Sequence, residues 1–237
     1  MSDPWFEIDC GPRVVALQTT CDPEPAPYGS FNLGLHVGDD EGAVVKNRVR
    51  LASYFGEEVY FPEQIHGINV VRVDRDSPVI AADAVVTDQV HCPIGVMTAD
   101  CLPLLLASQD SIGAAHAGWR GLVSGVLERT LKEFPDPAKV HVWLGPCIGQ
   151  DAFEVGPEVV DAFVFKNSAW GRYFESVSGS DRSIADLRGI ASDLLENLGV
   201  VTIKGLDVCT YSDSTRWYSY RRSGVTGRMA SCIMRIE

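Results

Sequence analysis

The chain has little that would take it to a membrane or to nucleic acid. The apolar stretch Leu102–Ala107 is far too short to span a bilayer, which takes about 20 residues. The start, MSDPWFEIDCGP, carries acid where a secretory signal carries base and has no apolar core; the expected location is the cytoplasm. Lys and Arg number 20 against 32 Asp and Glu, a net charge of −12. No basic cluster exceeds the pair Arg221-Arg222. That argues against non-specific binding to DNA, RNA or anionic membrane, which needs a basic face. The seven cysteines are odd in number and include no CxxC, so no small disulfide scaffold is expected. Most should be buried, reduced thiols that act as small hydrophobes. Histidine is scarce, five residues with no HxH, which makes a four-copper cluster within one chain chemically implausible. GxGxxG and P-loop strings are missing. So is the zinc deaminase pair, because Pro146-Cys147 lacks the second cysteine.

What is present is an ordinary globular composition: 237 residues, 46% hydrophobic and 22% charged. Apolar runs bounded by turn residues predict strands over 13–18, 58–61, 69–73, 84–87, 94–98, 102–107, 112–116, 140–144, 200–204 and 228–235. Helical spacing predicts helices over 41–54, with Val44, Val45, Val49 and Ala52 as its apolar stripe, and over 122–134, 157–165 and 184–198. Ser183 and Gly199 would cap the last of these. The Pro-rich stretch Asp22–Pro27 reads as a surface loop. No linker divides the chain. The expectation is one α+β domain over 1–237, with mixed β-sheets flanked by helices, as a monomer.

Met97–Gly121, MTADCLPLLLASQDSIGAAHAGWRG, is the most informative segment. Cys101 precedes one apolar run and His116 ends a second, with Ser108-Gln109-Asp110 as the turn between them. A hairpin there brings the thiol and imidazole to neighbouring strand ends. Trp119-Arg120-Gly121 follows at the start of a helix, where free N–H groups attract anions. Gln64-Ile65-His66-Gly67 sets a third donor, His66, at a turn. Two imidazoles and a thiolate suit zinc with an open fourth position, although His66 taken alone is more simply a surface histidine. Asp100 could orient a ligand or Arg120, but as the strand neighbour of Cys101 it is more simply structural. Gly145-Pro146-Cys147-Ile148-Gly149 suits either a ligand approach or a plain turn with a buried Cys147, and Cys209 is by default buried. Arg48 and the pair Arg221-Arg222 are candidate anion contacts or surface charges.

The strings FNLGLHVGD, QIHG, ADAVVT, TADCLPLLL, AAHAGWRG, GPCIG with FEVG, and SYRR with TGRMAS run in order from about Phe31 to Ser231. Together they resemble the YfiH-type, or laccase-domain, family, whose members are also catalogued as polyphenol oxidases, purine nucleoside phosphorylases and peptidoglycan editing factors. The resemblance implies an α+β fold similar to the cytotoxic-necrotizing-factor-like cysteine hydrolases. It implies a metal site of His66, Cys101 and His116, holding zinc, with copper as the alternative. It further implies phosphorolysis of adenosine and inosine together with adenosine deamination, with Arg120, Arg48, Arg222, Asn32 and Gln64 contacting nucleoside and phosphate. Two other readings stay open. One is a cysteine hydrolase or amidase that edits peptidoglycan precursors with Cys101 as nucleophile; the other is a copper-dependent polyphenol oxidase.

Overall fold

The computed structural model describes residues 3–21 and 26–237; residues 22–25 of the expected Pro-rich loop lie outside them. Its strands, in chain order, are β1 (Trp5–Glu7), β2 (Val14–Thr19), β3 (Val70–Arg72), β4 (Ala84–Thr87), β5 (Ile94–Thr98), β6 (Leu102–Ala107), β7 (Ile112–Ala117), β8 (His141–Leu144), β9 (Glu154–Val155), β10 (Phe174–Ser176), β11 (Ser183–Ala185), β12 (Thr202–Gly205) and β13 (Met229–Arg235). The α-helices are α1 (Glu41–Phe55), α2 (Trp119–Ser124), α3 (Val126–Leu131), α4 (Pro157–Lys166), α5 (Leu187–Asn197) and α6 (Tyr220–Ser223).

Two sheets stack at the centre. One has four antiparallel strands in the order β1-β2-β13-β5. The other has six in the order β12-β8-β6-β7-β4-β3, with parallel pairs at its two edges only. Side chains alternate across each strand, and the alternation assigns the layers. Ala16, Val96 and Ile233 of the smaller sheet meet Val85, Leu105, Ala114 and Trp143 of the larger one. The opposite face of the large sheet, with Leu102, Leu104, Leu106 and Val142, packs on α2, α3, α4 and α5 through residues such as Leu127, Phe163 and Ile190. The outer face of the small sheet, with Leu17, Cys232 and Met234, packs on Leu51 and Phe55 of α1. Both faces of β6 are therefore covered, which is why its sequence is an unbroken apolar run rather than an alternating one.

Several expectations are corrected. The stretch 58–61 makes only an isolated bridge, Tyr60 to Ile94. The helix expected from Leu122 begins at Trp119 and breaks at Gly125, whose φ of +106° ends one helix and starts the next. The helix expected from Ile184 begins at Leu187: Ser183–Ala185 is strand, paired with β9 and β10, and the cap is Asp186, which accepts from the Gly189 N–H at 2.8 Å. In α1 the buried stripe is Val44, Leu51 and Phe55, while Val45 and Val49 face solvent. Arg48 shares the inward-facing spacing with that stripe, an unusual place for a guanidinium.

Candidate active site

Sheet register builds the site. The β6–β7 hairpin pairs Leu102 with Ala117 and Pro103 with His116, so Cys101 lies just beyond the end of the ladder beside His116. Cys101 also sits where the chain leaves the small sheet at Thr98 and enters the large one at Leu102, at the corner between the two layers. His116 belongs to the alternating set of β7 that faces the neighbouring sheet, and Asp83, just before β4, shares that face. The Ala84–Ala115 pairing then brings Asp83 against His116.

The Asp83 carboxylate, fully buried, organises the rest. Its Oδ1 accepts from His116 Nδ1 at 2.8 Å and from the His66 N–H at 2.9 Å. Its Oδ2 accepts from the N–H groups of Gly67 at 2.6 Å and Ile65 at 3.2 Å. Burial pushes the Asp83 carboxyl upward, but the His116 hydrogen bond and charge and the two backbone donors outweigh it, so it lies below the usual range. An ionised carboxylate only accepts, so His116 carries its proton on Nδ1 and turns Nε2 toward the cluster. The same backbone bonds hold His66 at φ +58°, a left-handed conformation that non-glycine residues rarely take. Asp100, at φ +93°, is held likewise: its carboxylate accepts from Thr210 Oγ1 and from the Arg221 N–H, each at 2.6 Å. Two strained residues thus flank the site, each fixed by buried polar contacts.

His66, Cys101 and His116 converge. Their ligand-type atoms all lie within 4.8 Å of one another, with His66 exposed, Cys101 half-buried and His116 buried. Cys101 Sγ is 3.9 Å from His66 Nε2, and the two imidazoles meet edge to face at 4.7 Å. Burial raises the Cys101 thiol, but the charge of His116 and hydrogen bonds from both imidazoles bring it down to about 6. Burial lowers His116, but the Cys101 charge and the Asp83 hydrogen bond raise it to about 9. Gly118 closes one wall; a Cβ there would stand 3.0 Å from Cys101 Sγ and 3.2 Å from His66 Cδ2. The exposed side of His66 leaves the cluster open. A separate cavity of about 680 Å³ lies at the far end of the same strands, between Ala107 and His141, and shares no residue with it.

The other expected residues are dispersed. Arg120 is exposed and stacks on Trp119, 4.5 Å from the ring centre. It makes no bond to Asp100, whose role is to tie the Cys101 corner to Thr210 and α6. Arg222 directs its guanidinium to the carbonyls of Thr210, Tyr211 and Trp217. The Gln64 amide clamps Met97, donating to its carbonyl and accepting from its N–H, each at 2.8 Å. Asn32 is buried and bonds Gly34, Asp39 and the N–H of Arg228. Arg48 donates Nε to the Leu33 carbonyl at 2.9 Å and lies over Phe61.

Asp83 and Arg228 were not picked out from sequence. Asp83 stands in the quoted ADAVVT string as a lone acid at the head of an apolar strand, a usable signal for a buried carboxylate. Arg228 stands in the quoted TGRMAS string, but nothing in its neighbours says where its guanidinium goes, which depends on β13 pairing with β5.

The site defines a class: a Cys/His/His cluster with a carboxylate behind one imidazole, at the open end of a two-sheet sandwich. The chain belongs to the multi-copper polyphenol oxidoreductase laccase family, whose pattern matches residues 18–236. It is similar to a purine nucleoside phosphorylase of Pseudomonas aeruginosa, 44% identical over 88% of this chain and 87% of that one. It is also similar to the purine nucleoside phosphorylase YfiH of Escherichia coli, 42% identical over 87% of each. Among solved structures, a Neisseria meningitidis protein superposes with a TM-score of 0.94 at 38% identity, covering 99% of this chain and all of that one. YlmD from Geobacillus stearothermophilus superposes at 0.88 with 28% identity, covering 100% and 98%.

Proposed function

We propose that the chain is a zinc-dependent purine nucleoside phosphorylase acting on adenosine and inosine, and that it also deaminates adenosine. The observation that carries this reading is the convergence of His66, Cys101 and His116 on one open point, in a chain so similar to proteins named purine nucleoside phosphorylase. The donors fit a zinc ion: at bond lengths of roughly 2.0–2.3 Å, tetrahedral ligands stand about 3.5 Å apart, and Cys101 Sγ lies 3.9 Å from His66 Nε2. An ionisable thiol and a histidine whose second nitrogen is held by a carboxylate are the usual companions of such an ion. Copper is the alternative ion for these donors. Bound zinc would supply Lewis-acid chemistry at the open position.

In phosphorolysis a phosphate oxygen bonds to C1′ of the ribose, the bond from C1′ to purine N9 breaks, and the purine takes up a proton. In an acidic chain the phosphate needs local positive charge. Arg48 and Arg228 are half-buried, and neither has a carboxylate ion-pair partner among the described residues. Burial lowers both guanidinium groups. His36 is lowered by burial and then by the charges of both arginines, so the three share one field. Arg228 also interacts with the Cys101 charge. Arg48 Nη2 lies 3.7 Å from Met97 Sδ, on the residue that Gln64 clamps two positions before His66. This reading assigns phosphate to Arg48 and Arg228, with the exposed Arg120 as an outer contact.

The test is zinc-loaded protein with inosine and phosphate, assayed for ribose 1-phosphate and hypoxanthine. Arg48→Ala and Arg228→Ala should each raise the phosphate KM with zinc content unchanged. No ribose 1-phosphate at high enzyme concentration contradicts the reading. Ammonia release from adenosine without phosphate tests the deaminase part.

A second reading rests on a specific feature. Asp83, His116 and Cys101 follow one another as acid, imidazole and thiol, the order of a cysteine hydrolase triad. It fits an amidase acting on peptidoglycan precursors. It predicts activity indifferent to chelators and lost on alkylation of Cys101; protection of Cys101 by zinc counts against it. A copper phenol oxidase would need oxidation of phenols by the copper-loaded chain.

A further inference from the structure

A pair of thiols lies outside the cluster. Cys147, in the turn after β8, pairs with Cys209 as an isolated parallel bridge, and the Thr210 N–H donates to the Cys147 carbonyl at 3.0 Å. Paired strand backbones run about 4.7–4.9 Å apart. A disulfide takes Cα atoms roughly 4.4–6.8 Å apart, so the backbone spacing already meets its requirement. Directly paired residues send side chains to the same face. Both cysteines line one cleft of about 390 Å³, with Gly149, Asp186, Arg188 and Ser212.

The two thiols differ in character. Cys209 is half-exposed, and its sulfur accepts from the Gly149 N–H at 3.2 Å and from Ser212 Oγ at 3.4 Å. Burial raises this thiol, but the hydroxyl and backbone donors around it bring it below its ordinary value. Cys147 is buried and desolvation pushes it up to about 11, with the Arg188 Nη2 3.6 Å from its sulfur. One thiol is accessible and held as an acceptor; the other waits behind it beside a cation. That is the division of labour between an attacking and a resolving cysteine.

We propose that Cys147 and Cys209 are a closable dithiol, a modification site that reacts with a low-molecular-weight disulfide. The Cys209 thiolate attacks one sulfur of the reagent, forming a mixed disulfide and expelling the other half as a thiolate, which takes up the proton lost from Cys209. Cys147 then attacks the Cys209 sulfur. Its proton passes to the second half of the reagent, which leaves as a thiol, while Arg188 stabilises the developing Cys147 thiolate. Two protein thiols are oxidised to one disulfide, and one reagent disulfide is reduced to two thiols. The bond would form next to Thr210, whose hydroxyl holds Asp100, the neighbour of Cys101.

The experiment treats the full-length protein, as wild type and as Cys101→Ser, with oxidised glutathione. The products are alkylated and their peptides mapped by mass spectrometry. The expected product is a Cys147–Cys209 disulfide that forms at least ~10-fold faster than any adduct at Cys10, Cys92 or Cys232. Cys147→Ala should stop at a glutathione adduct on Cys209, and Cys209→Ser should leave Cys147 unmodified. A stable glutathione adduct on Cys209 of the wild type with no cross-link overturns the proposal. So does failure of both thiols to react, and so does equal reaction at Cys147 in Cys209→Ser. The wild-type map decides even if a variant folds poorly.

Discussion

Replacing Asp83 by asparagine keeps the shape of the side chain and removes its charge. The carboxylate accepts four hydrogen bonds, two at each oxygen. An amide offers one oxygen and one NH2 group. If the NH2 takes the Oδ2 position, it faces the N–H groups of Ile65 and Gly67, and the His66 turn loses the one acceptor that takes both of their hydrogen bonds. If it takes the Oδ1 position, it faces the His66 N–H and forces His116 into the other tautomer, with its proton directed into the cluster. Each buried donor left without a partner costs about 1–3 kcal/mol, so a loss of about 3 kcal/mol is expected. For a chain of this length that is a fall in Tm of roughly 6–12 °C. Carboxylates behind a metal-binding histidine typically contribute about 10–100-fold to metal affinity. Zinc affinity by competition with a chromophoric chelator, alongside thermal unfolding of wild type and Asp83→Asn, measures both effects. Unchanged zinc affinity with unchanged Tm would falsify the assignment of Asp83 as the group that positions His66 and His116.

Cys101→Ser should lose zinc and at least ~100-fold of the activity. Cys10→Ser and Cys232→Ser should keep both and lose only stability, since these thiols are buried and pushed upward, Cys10 to about 12; metal analysis and phosphorolysis assays compare the three. Gly118→Ala introduces a methyl 3.0 Å from Cys101 Sγ and should weaken zinc by about tenfold or more with the fold intact, read by the same competition assay and circular dichroism. In metal-free protein the thiolate absorbance of Cys101 should titrate near about 6 rather than at 9.0, the ordinary value of a free thiol. Because that pKa is depressed, its contribution to stability is complete above about 9 and is lost as pH falls through about 6. His116 runs the other way: its contribution is complete below 6.5 and is lost as pH rises through about 9. A Cys101 titration near 9 in the folded chain contradicts the imidazole contacts.

The hairpin was legible because its turn and two apolar runs fix the register, and the register alone sets Cys101 beside His116. The expected stripe Leu122, Val126, Leu127 and Leu131 is buried as the helical period requires. The segment 183–187 was not legible, because a short apolar run before a capping aspartate suits strand and helix equally; pairing with Glu154 decided it. The inward face of α1 is not legible from apolar spacing, because Val45 and Val49 are apolar yet exposed while the inward-facing position 48 carries a guanidinium. The strand of Asp83 signals a buried carboxylate but not what it binds, since its four partners come from two other segments. The anion candidates behaved similarly: proximity in sequence favoured Arg120, whereas long-range packing brings Arg48 and Arg228 into one field.

The most direct measurement of the central claim is zinc content and inosine phosphorolysis on the same purified sample, before chelation, after chelation and after zinc is restored. The account predicts about one zinc per chain, held by His66, Cys101 and His116. Phosphorolysis should disappear with the metal and return with it, and neither should be seen in Cys101→Ser. Full phosphorolysis by thoroughly chelated protein, or zinc retained undiminished by Cys101→Ser, would contradict it.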